Sequence, residues 1–262
     1  MNSSHRVLTA LAGIAMVAAC SGGGDEPTTS SRGLPQGDQA RTLNPKDFTT
    51  AIDNPYLPLV PGTQSTFREV DGDGSVAVVV VTVTSKTRKI ANGVTARVVR
   101  DTVSEGGEII EDTFDWYAQD AQGNVWYLGE DTAEFEDGKK VSSEGSFEAG
   151  VDGAMAGVVM PAHPRPGLAY RQEYYRGEAE DNGEVLSSRE MVDVTYGHFT
   201  STLLTKDTSA IAPDVLEYKL YARGVGLVLA LDIAGGNGRE ELVSVKKVPP
   251  GTATGPLGHP DN

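Results

Sequence analysis

The sequence has little cysteine, little positive charge and no long apolar run. Cys20 is the only cysteine among 262 residues, which excludes an intrachain disulfide, and a free thiol would be a liability in an oxidising compartment. After Cys20 no apolar stretch approaches the ~20 residues that a membrane-spanning helix needs. The formal net charge of −15 argues against nucleic acid and anionic lipid headgroups as partners. It is compatible with high solubility, with calcium or with cationic ligands.

Motifs of known catalytic and cofactor sites are also missing. The chain has no nucleophile elbow, no His-Glu-x-x-His, no phosphate loop and no dinucleotide fingerprint. Residues 71–75 begin like a calcium loop but lack the glycine and glutamate required further on, so a hairpin turn is favoured. His163 and His198 would form a metal site only with another ligand close in space. The sequence therefore contains no recognised catalytic motif, and we predict that the protein binds neither a metal ion nor a cofactor.

The first 20 residues match a bacterial lipoprotein signal. A polar start carrying Arg6 leads into a short apolar stretch, and small residues precede Cys20. We predict that residues 1–19 are a signal peptide and that the Cys20 thiol carries a lipid such as palmitate. Removing 19 of 262 residues leaves 243, and the loss of Arg6 changes the charge from −15 to −16. Two or three acyl chains would anchor the protein outside the cytoplasm, in the cell membrane or outer membrane.

Composition divides the rest of the chain into three segments. Residues 20–46 are rich in glycine, serine, threonine and proline, so they cannot bury enough apolar surface to offset the entropy of ordering. They are predicted to be the lipidated cysteine and a flexible tether. Residues 249–262 have the same character and are predicted to be a disordered tail. A single β-rich domain over residues 47–248 remains.

Strand signals dominate this domain. The candidate strands are short, rich in β-branched and aromatic residues, and separated by turns of hairpin type. They cover residues 76–84, 94–103, 108–118, 124–128, 168–176, 189–195, 198–206, 215–222, 225–233 and 239–248. Helical signals are confined to turns near 46–51 and 153–160. We predict an all-β fold, a single antiparallel β-meander that forms a barrel, a half-barrel or two packed sheets, with few short helices.

One candidate strand, residues 108–118, has a polar face. The two-residue period places Glu111, Asp115 and Tyr117 on one side and Trp116 on the other. If the polar side faces a barrel interior, its carboxylates must be paired, protonated or bound to a cation, and they could select a polar or cationic ligand. If it faces outwards, these are ordinary surface groups. The three residues are the candidate ligand-binding residues.

Two further patterns concern the faces of other segments. Residues 130–148 carry many carboxylates around only two lysines, and such a charge run is typical of a solvated face. In residues 225–233, Leu227, Leu229 and Leu231 alternate with smaller or polar residues, which predicts one strongly apolar face.

Three stretches resemble a widespread group of uncharacterised bacterial lipoproteins. They are residues 52–63 (IDNPYLPLVPGT), 112–131 (DTFDWYAQDAQGNVWYLGED) and 221–229 (YARGVGLVL). Tyr196-Gly197-His198-Phe199 before a strand is similar to another mark of that group. The chain departs from the pattern at residues 63–68, where an aromatic residue two positions before Phe67 is missing. The resemblance implies a β-rich domain outside the cytoplasm and carries no catalytic residues.

Two functions are compatible with these observations. The first is a non-enzymatic lipoprotein whose β domain holds a small apolar or amphipathic ligand, or an envelope protein. The alternative is a hydrolase or lyase of the cell envelope that uses carboxylates such as Glu111 or Asp115, because paired acids need no local motif. A cleft where two carboxylates converge with shifted pKa values would favour the second.

Overall fold

The computed structural model describes residues 33–249 and 251–260. Residues 1–19 and Cys20 lie outside the described residues. A single turn of 3-10 helix, Pro45–Asp47, precedes the sheet. The sixteen strands of the described chain are β1 (Phe48–Thr49), β2 (Thr63–Val70), β3 (Val76–Lys89), β4 (Thr95–Glu105), β5 (Glu108–Asp120), β6 (Val125–Glu136), β7 (Lys139–Ser142), β8 (Phe147–Glu148), β9 (Met155–Met160), β10 (Ala169–Arg171), β11 (Glu173–Tyr174), β12 (Asp181–Val194), β13 (Gly197–Ser209), β14 (Leu216–Ala222), β15 (Gly226–Ala234) and β16 (Arg239–Lys247).

These strands form one antiparallel sheet that closes almost completely into a barrel. The order is β10-β12-β13-β14-β15-β16-β2-β3-β4-β5-β6-β9-β11, while β1 pairs with β5 and both β7 and β8 pair with β6. The two ends of this path, β10 and β11, are consecutive in the chain and are separated by Gln172 alone. One short segment thus pairs with β12 on one side and with β9 on the other. The all-β prediction is confirmed, and the barrel is the form adopted.

Most of the predicted strands are present with similar bounds, and the differences are local. Residues 153–160, interpreted as a helical turn, contain β9, because a run of small and β-branched residues pairs with β6. The predicted strand 168–176 is split into β10 and β11 at the barrel seam. Residues 71–75 form the β2–β3 turn, where the Ser75 hydroxyl donates to Asp73 at 2.7 Å. None of the helices in the described ranges is long and apolar enough to cross a membrane.

The segment before the barrel lies against this seam. The Arg171 guanidinium donates hydrogen bonds to the carbonyls of Gly37 at 2.7 Å and Gln39 at 2.9 Å, and to that of Ala156 in β9 at 2.8 Å. Arg171 is 1% exposed, so these carbonyls supply acceptors to the two terminal nitrogens of a buried cation. Gly37 and Gln39, which belong to the predicted tether, thus contact the barrel seam, and the flexible tether over residues 20–46 stays a prediction.

The segment after the barrel is also held. The Arg100 guanidinium on β4 donates to the carbonyls of Gly255 at 2.9 Å and Pro256 at 2.8 Å, while the Gly258 amide donates to Asp112 at 2.6 Å. The Arg100 and Asp112 side chains form an ion pair that is 0% exposed. Two buried charges thus take their remaining hydrogen bonds from residues 251–260, while the disordered tail over residues 249–262 stays a prediction.

Candidate functional site

The barrel encloses a cavity of about 380 Å³ with an acidic lining. This volume lies at the lower end of the range for small-molecule sites. Its lining contains three tyrosines, one lysine (Lys219) and nine carboxylic acids, which are Asp101, Asp115, Glu130, Glu173, Glu178, Asp181, Asp207, Glu217 and Glu240. An apolar part of the wall comes from Leu57, Leu59, Val81, Val83 and Leu227. The cavity is therefore amphipathic, with a large excess of acids over bases.

The loop between β1 and β2 caps the apolar part of this cavity. Leu57, Pro58 and Leu59 of that loop line the cavity directly. The buried Gln119 of β5 fixes the start of the loop, since its amide oxygen accepts hydrogen bonds from the backbone N–H groups of Asp53 at 3.0 Å and Asn54 at 2.9 Å. The proline-rich stretch that resembles the lipoprotein group thus forms an apolar lid fixed to the barrel.

A bulge in β6 brings two acids together inside the barrel. Asp115 of β5 pairs with Glu130 of β6, and Tyr117 pairs with Tyr127, with a register shift between the two pairs. The extra residue lies in the β6 stretch that contains Gly129, whose φ of 125° is accessible mainly to glycine. Tyr127 and Glu130 are three residues apart, yet both line the cavity because of this bulge. A Cβ at position 129 would also collide with the Phe147 carbonyl.

The Tyr127 hydroxyl bridges the two acids. Its oxygen lies 2.8 Å from a carboxyl oxygen of Asp115 and 2.5 Å from one of Glu130. A hydroxyl has one hydrogen and an ionised carboxylate only accepts, so both contacts are hydrogen bonds only if one acid is protonated. Burial raises the pKa of both Asp115 and Glu130, and the charge of Asp115 raises the pKa of Glu130 further. The arrangement is a protonated Glu130 that donates to Tyr127, which in turn donates to ionised Asp115.

A second acid pair lies across the seam. Glu173 of β11 and Asp181 of β12 both line the cavity, and they lie close enough for their carboxyl groups to interact. Burial, followed by the charge of Asp181, raises the pKa of Glu173 well above its ordinary value, and burial also raises the pKa of Asp181. Both shifts favour retention of a proton by this pair. Neither pair has a salt bridge to a lysine or arginine within residues 33–249 and 251–260.

A third acid pair receives a cation from the protein itself. The Lys219 ammonium of β14 lies 3.1 Å from a carboxylate oxygen of Asp207 and 2.9 Å from one of Glu217. Burial lowers the pKa of Lys219, but the charges of Glu217 and Asp207 outweigh it and raise the pKa well above its ordinary value. Lys219 is consequently a permanent cation and is unsuited to act as a nucleophile or a base.

Two more acids face the cavity without a positive partner. The Oδ1 atom of Asp101 is buried and has no hydrogen-bond partner among the described residues. Burial, then the charges of Asp115 and Glu240, raise the pKa of Asp101 well above its ordinary value. Burial and the charge of Glu69 raise the pKa of Glu240 to about 8. Asp101 and Glu240 thus have no salt bridge among the described residues, although the charge of Lys219 on nearby β14 partly offsets the rise in the pKa of Glu240.

The structure places the three candidate residues on the inner face of β5. Asp115 and Tyr117 line the cavity, and the Tyr117 and Tyr127 rings lie 5.1 Å apart between centroids. Glu111 lies further along the same face, opposite Glu134, and burial followed by the Glu134 charge raises its pKa to about 7. The two-residue period assigned these faces correctly, and the barrel closure turns the polar face inwards. A ligand-binding role for the three residues stays a prediction.

Most of the other acids of the cavity were not found from the sequence. Glu130 lies in the charge run interpreted as a solvated face, but its side chain points into the barrel. The signal that could have shown this is Gly129, because a glycine within a strand often marks a bulge. Register shifts between β14 and β15 have a similar effect, so that Leu227 and Ala230 both line the cavity despite their odd spacing.

The remaining candidates from the sequence have plain structural roles. His163 is exposed, and His198 is an exposed partner of Asp193 at 2.7 Å. The Asp120 carboxylate in the β5–β6 turn accepts hydrogen bonds from Asn124 and from the Trp126 indole at 2.8 Å. Within the described ranges no group of three or more histidine, cysteine or acidic side chains has a geometry that could hold a metal ion.

Comparisons with known proteins give structural likenesses alone. No family described by a sequence model matches this chain, and no curated protein matches it. A Bacteroides fragilis protein proposed to be exported, with a YmcC-like fold, is 14% identical with a TM-score of 0.40, covering 73% of this chain and 99% of that chain. A proposed lipoprotein of Parabacteroides distasonis is 11% identical with a TM-score of 0.36. The likeness covers 73% of this chain and 98% of that chain.

A β-barrel-like protein of Brucella abortus, from a domain of unknown function, is similar to the same extent. It is 12% identical with a TM-score of 0.34, covering 71% of this chain and 98% of that chain. Two of the three structures are thus described as exported or as a lipoprotein, the class that the sequence resembles. At these identities and TM-scores the likenesses carry no argument about function.

Proposed function

We propose that this protein is a lipid-anchored binding protein of the cell envelope whose barrel holds a small amphipathic cation. The observation that carries the proposal is the cavity of about 380 Å³, which combines nine acids and one lysine with an apolar wall. A buried carboxylate without a cation or proton is strongly unfavourable. A bound cation would relieve this cost, and an apolar chain on the same ligand would cover Leu57, Leu59 and Leu227.

The ligand's charge can be tested with three molecules of similar shape. We expect hexylamine to bind the full-length lipidated protein in dodecyl maltoside at least about tenfold more tightly than hexanol, because only the amine offers a charge to the acids. Hexanoate should not bind, since it would add a further negative charge. Isothermal titration calorimetry measures all three affinities. Equal affinities for the three molecules, or no binding of hexylamine, would contradict the proposal.

The anchor rests on the sequence signal that ends at Cys20. Replacing Cys20 with serine removes the thiol to which the lipid would be attached. We expect the wild-type protein to fractionate with membranes and to have the mass of a chain starting at Cys20 with acyl chains. The C20S variant should lose the acyl mass and leave the membrane fraction. Intact mass spectrometry decides the matter, and an unmodified thiol in the wild-type protein would refute the anchor.

One observation favours a second function, a carboxylate-dependent hydrolase or lyase. Asp115 and Glu130 contact the same Tyr127 hydroxyl and share a proton, which supplies a base and an acid side by side. Such a pair equips a site for proton transfer. The two functions differ in the fate of the ligand: a binding protein isolated from its own envelope yields the bound molecule unchanged after prolonged incubation, and an enzyme yields products. Mass spectrometry of the released small molecules distinguishes them.

A further inference from the structure

We propose that the cavity selects a linear diammonium compound, with one ammonium group held by Asp115 and Glu130 and the other by Glu173 and Asp181. This inference rests on the proposed function and names the class of its ligand. All four acids line the same cavity. Neither pair has a salt bridge among the described residues, although the charge of Lys219 lowers the pKa of Asp181.

Lys219 shows how this barrel holds an ammonium group. Its nitrogen lies between Asp207 and Glu217, at 3.1 and 2.9 Å from their oxygens. An ammonium has three donors, so it can bond to both carboxylates of a pair and still reach a third acceptor. The chain thus fills one of three acid pairs with its own primary ammonium. The other two pairs present the same chemistry to a ligand.

The spacing of the two remaining pairs fits one short ligand. Glu130 is on β6, which pairs with β9, and β9 pairs with the β11 strand that carries Glu173. Two ladder steps of about 4.8 Å separate these strands by roughly 10 Å, and both side chains point into the same interior. A chain of a few methylene groups bridges such a span.

Asp101 gives independent support for a cation here. Its Oδ1 atom is buried and has no hydrogen-bond partner among the described residues, although it lies in the lining of the cavity. Buried polar atoms in native proteins nearly always have a partner. Asp115 is the acid whose charge affects Asp101 most. An ammonium held by Asp115 and Glu130 would supply the donor that Asp101 lacks.

Binding in this way must release protons. In the free protein the lone Tyr127 hydrogen requires the first pair to hold one proton, and the raised pKa of Glu173 favours a proton on the second pair. An incoming ammonium needs both carboxylates ionised to bind at full strength, so that proton passes to the buffer while the ligand keeps all of its own. A diammonium ligand should therefore release about one proton more than a monoammonium ligand.

The experiment compares hexamethylenediamine with hexylamine on the full-length protein. Calorimetry in two buffers of different ionisation enthalpy at neutral pH gives the affinity and the number of protons released. We expect the diamine to bind at least about tenfold more tightly and to release about one further proton. In the Glu173→Gln variant the diamine should lose both its tighter binding and its additional released proton, while hexylamine should bind as it does to the wild-type protein. Glu108→Gln, an exposed acid at the start of β5, is the matched control and should change neither.

The outcomes separate this inference from the proposed function. If hexylamine binds and the diamine binds no better, or if E173Q leaves the diamine's advantage intact, the diammonium proposal is overturned and the cationic-ligand proposal stands. If neither amine binds to wild-type protein, both proposals fail. Far-ultraviolet circular dichroism of E173Q before the titration shows that the barrel is folded. Should that variant fail to fold, Asp181→Asn replaces it, because it removes the same pair from the β12 side.

Discussion

Replacing Arg100 with alanine is expected to lower the free energy of unfolding by about 3–5 kcal/mol, because it leaves Asp112 buried without its cation. Both side chains are 0% exposed, and Arg100 Nε donates to Asp112 at 2.8 Å. The Thr102 hydroxyl, 2.9 Å away, also donates to Asp112, but a neutral donor cannot balance its charge. The variant also removes the donors that hold the carbonyls of Ala253, Gly255 and Pro256.

Urea denaturation followed by tryptophan fluorescence measures the loss. The control is Arg239→Ala, which breaks a pair at 2.9 Å whose arginine side chain is 43% exposed, and it should cost about 1 kcal/mol or less. The double variant Arg100→Met, Asp112→Leu should recover much of the stability, since it leaves no unpaired charge in the interior. Limited proteolysis should cut near residue 255 in both Arg100 variants and spare wild type. Equal stability of R100A and R239A would contradict this account.

The contacts of Arg100 also show what composition leaves out at the chain ends. Glycine, proline and threonine dominate both ends, and such residues bury little apolar surface of their own. Their backbone carbonyls are nonetheless acceptors, and two buried guanidinium groups, Arg100 and Arg171, use them. The donors lie far away in the sequence. No local pattern in residues 33–46 or 251–260 could predict these bonds.

The strands were predictable because their signals are local. Runs of β-branched residues between glycine and aspartate turns define β3, β4, β5 and β6, and these hairpins are present. The side of the sheet on which each side chain lies was predictable only where a strand has no bulge, as along the β5 stretch from Glu111 to Tyr117. Where a bulge intervenes, as at Gly129, one inserted residue reverses the parity of everything beyond it.

The composition of the cavity depends on closure, which is a property of the whole sheet. Glu173 and Asp181 face the same space as Asp115 because the β10–β11 segment joins the two ends of the sheet path. An open half-barrel would have left the same acids in contact with water. The sequence could therefore indicate a polar face on one strand, but it could not show that acids from several strands converge.

That convergence makes the stability of the ligand-free protein fall as pH rises from about 5 to about 8. Burial, with the charge of a neighbouring acid, raises the pKa of Glu240 from 4.5 to about 8 and that of Glu111 from 4.5 to about 7. In this range the folded protein keeps protons that the unfolded chain has lost. Folding is therefore penalised progressively as pH increases. The penalty is absent below the pKa that these acids have in the unfolded chain. It reaches its full size once pH exceeds their pKa in the folded protein.

The variant Glu240→Gln isolates this effect, because glutamine keeps the size and cannot ionise. We expect it to stabilise the protein on the order of 2 kcal/mol near pH 8 and to have little effect near pH 5, where the native glutamate is already protonated. Urea titrations in phosphate and acetate, which contain no amine, measure the difference. In the Glu108→Gln variant the free energy of unfolding should depend on pH as it does in the wild-type protein, since Glu108 is exposed. A wild-type stability that rises with pH over this range, or an E240Q slope equal to that of wild type, would show that the cavity acids are ionised and compensated.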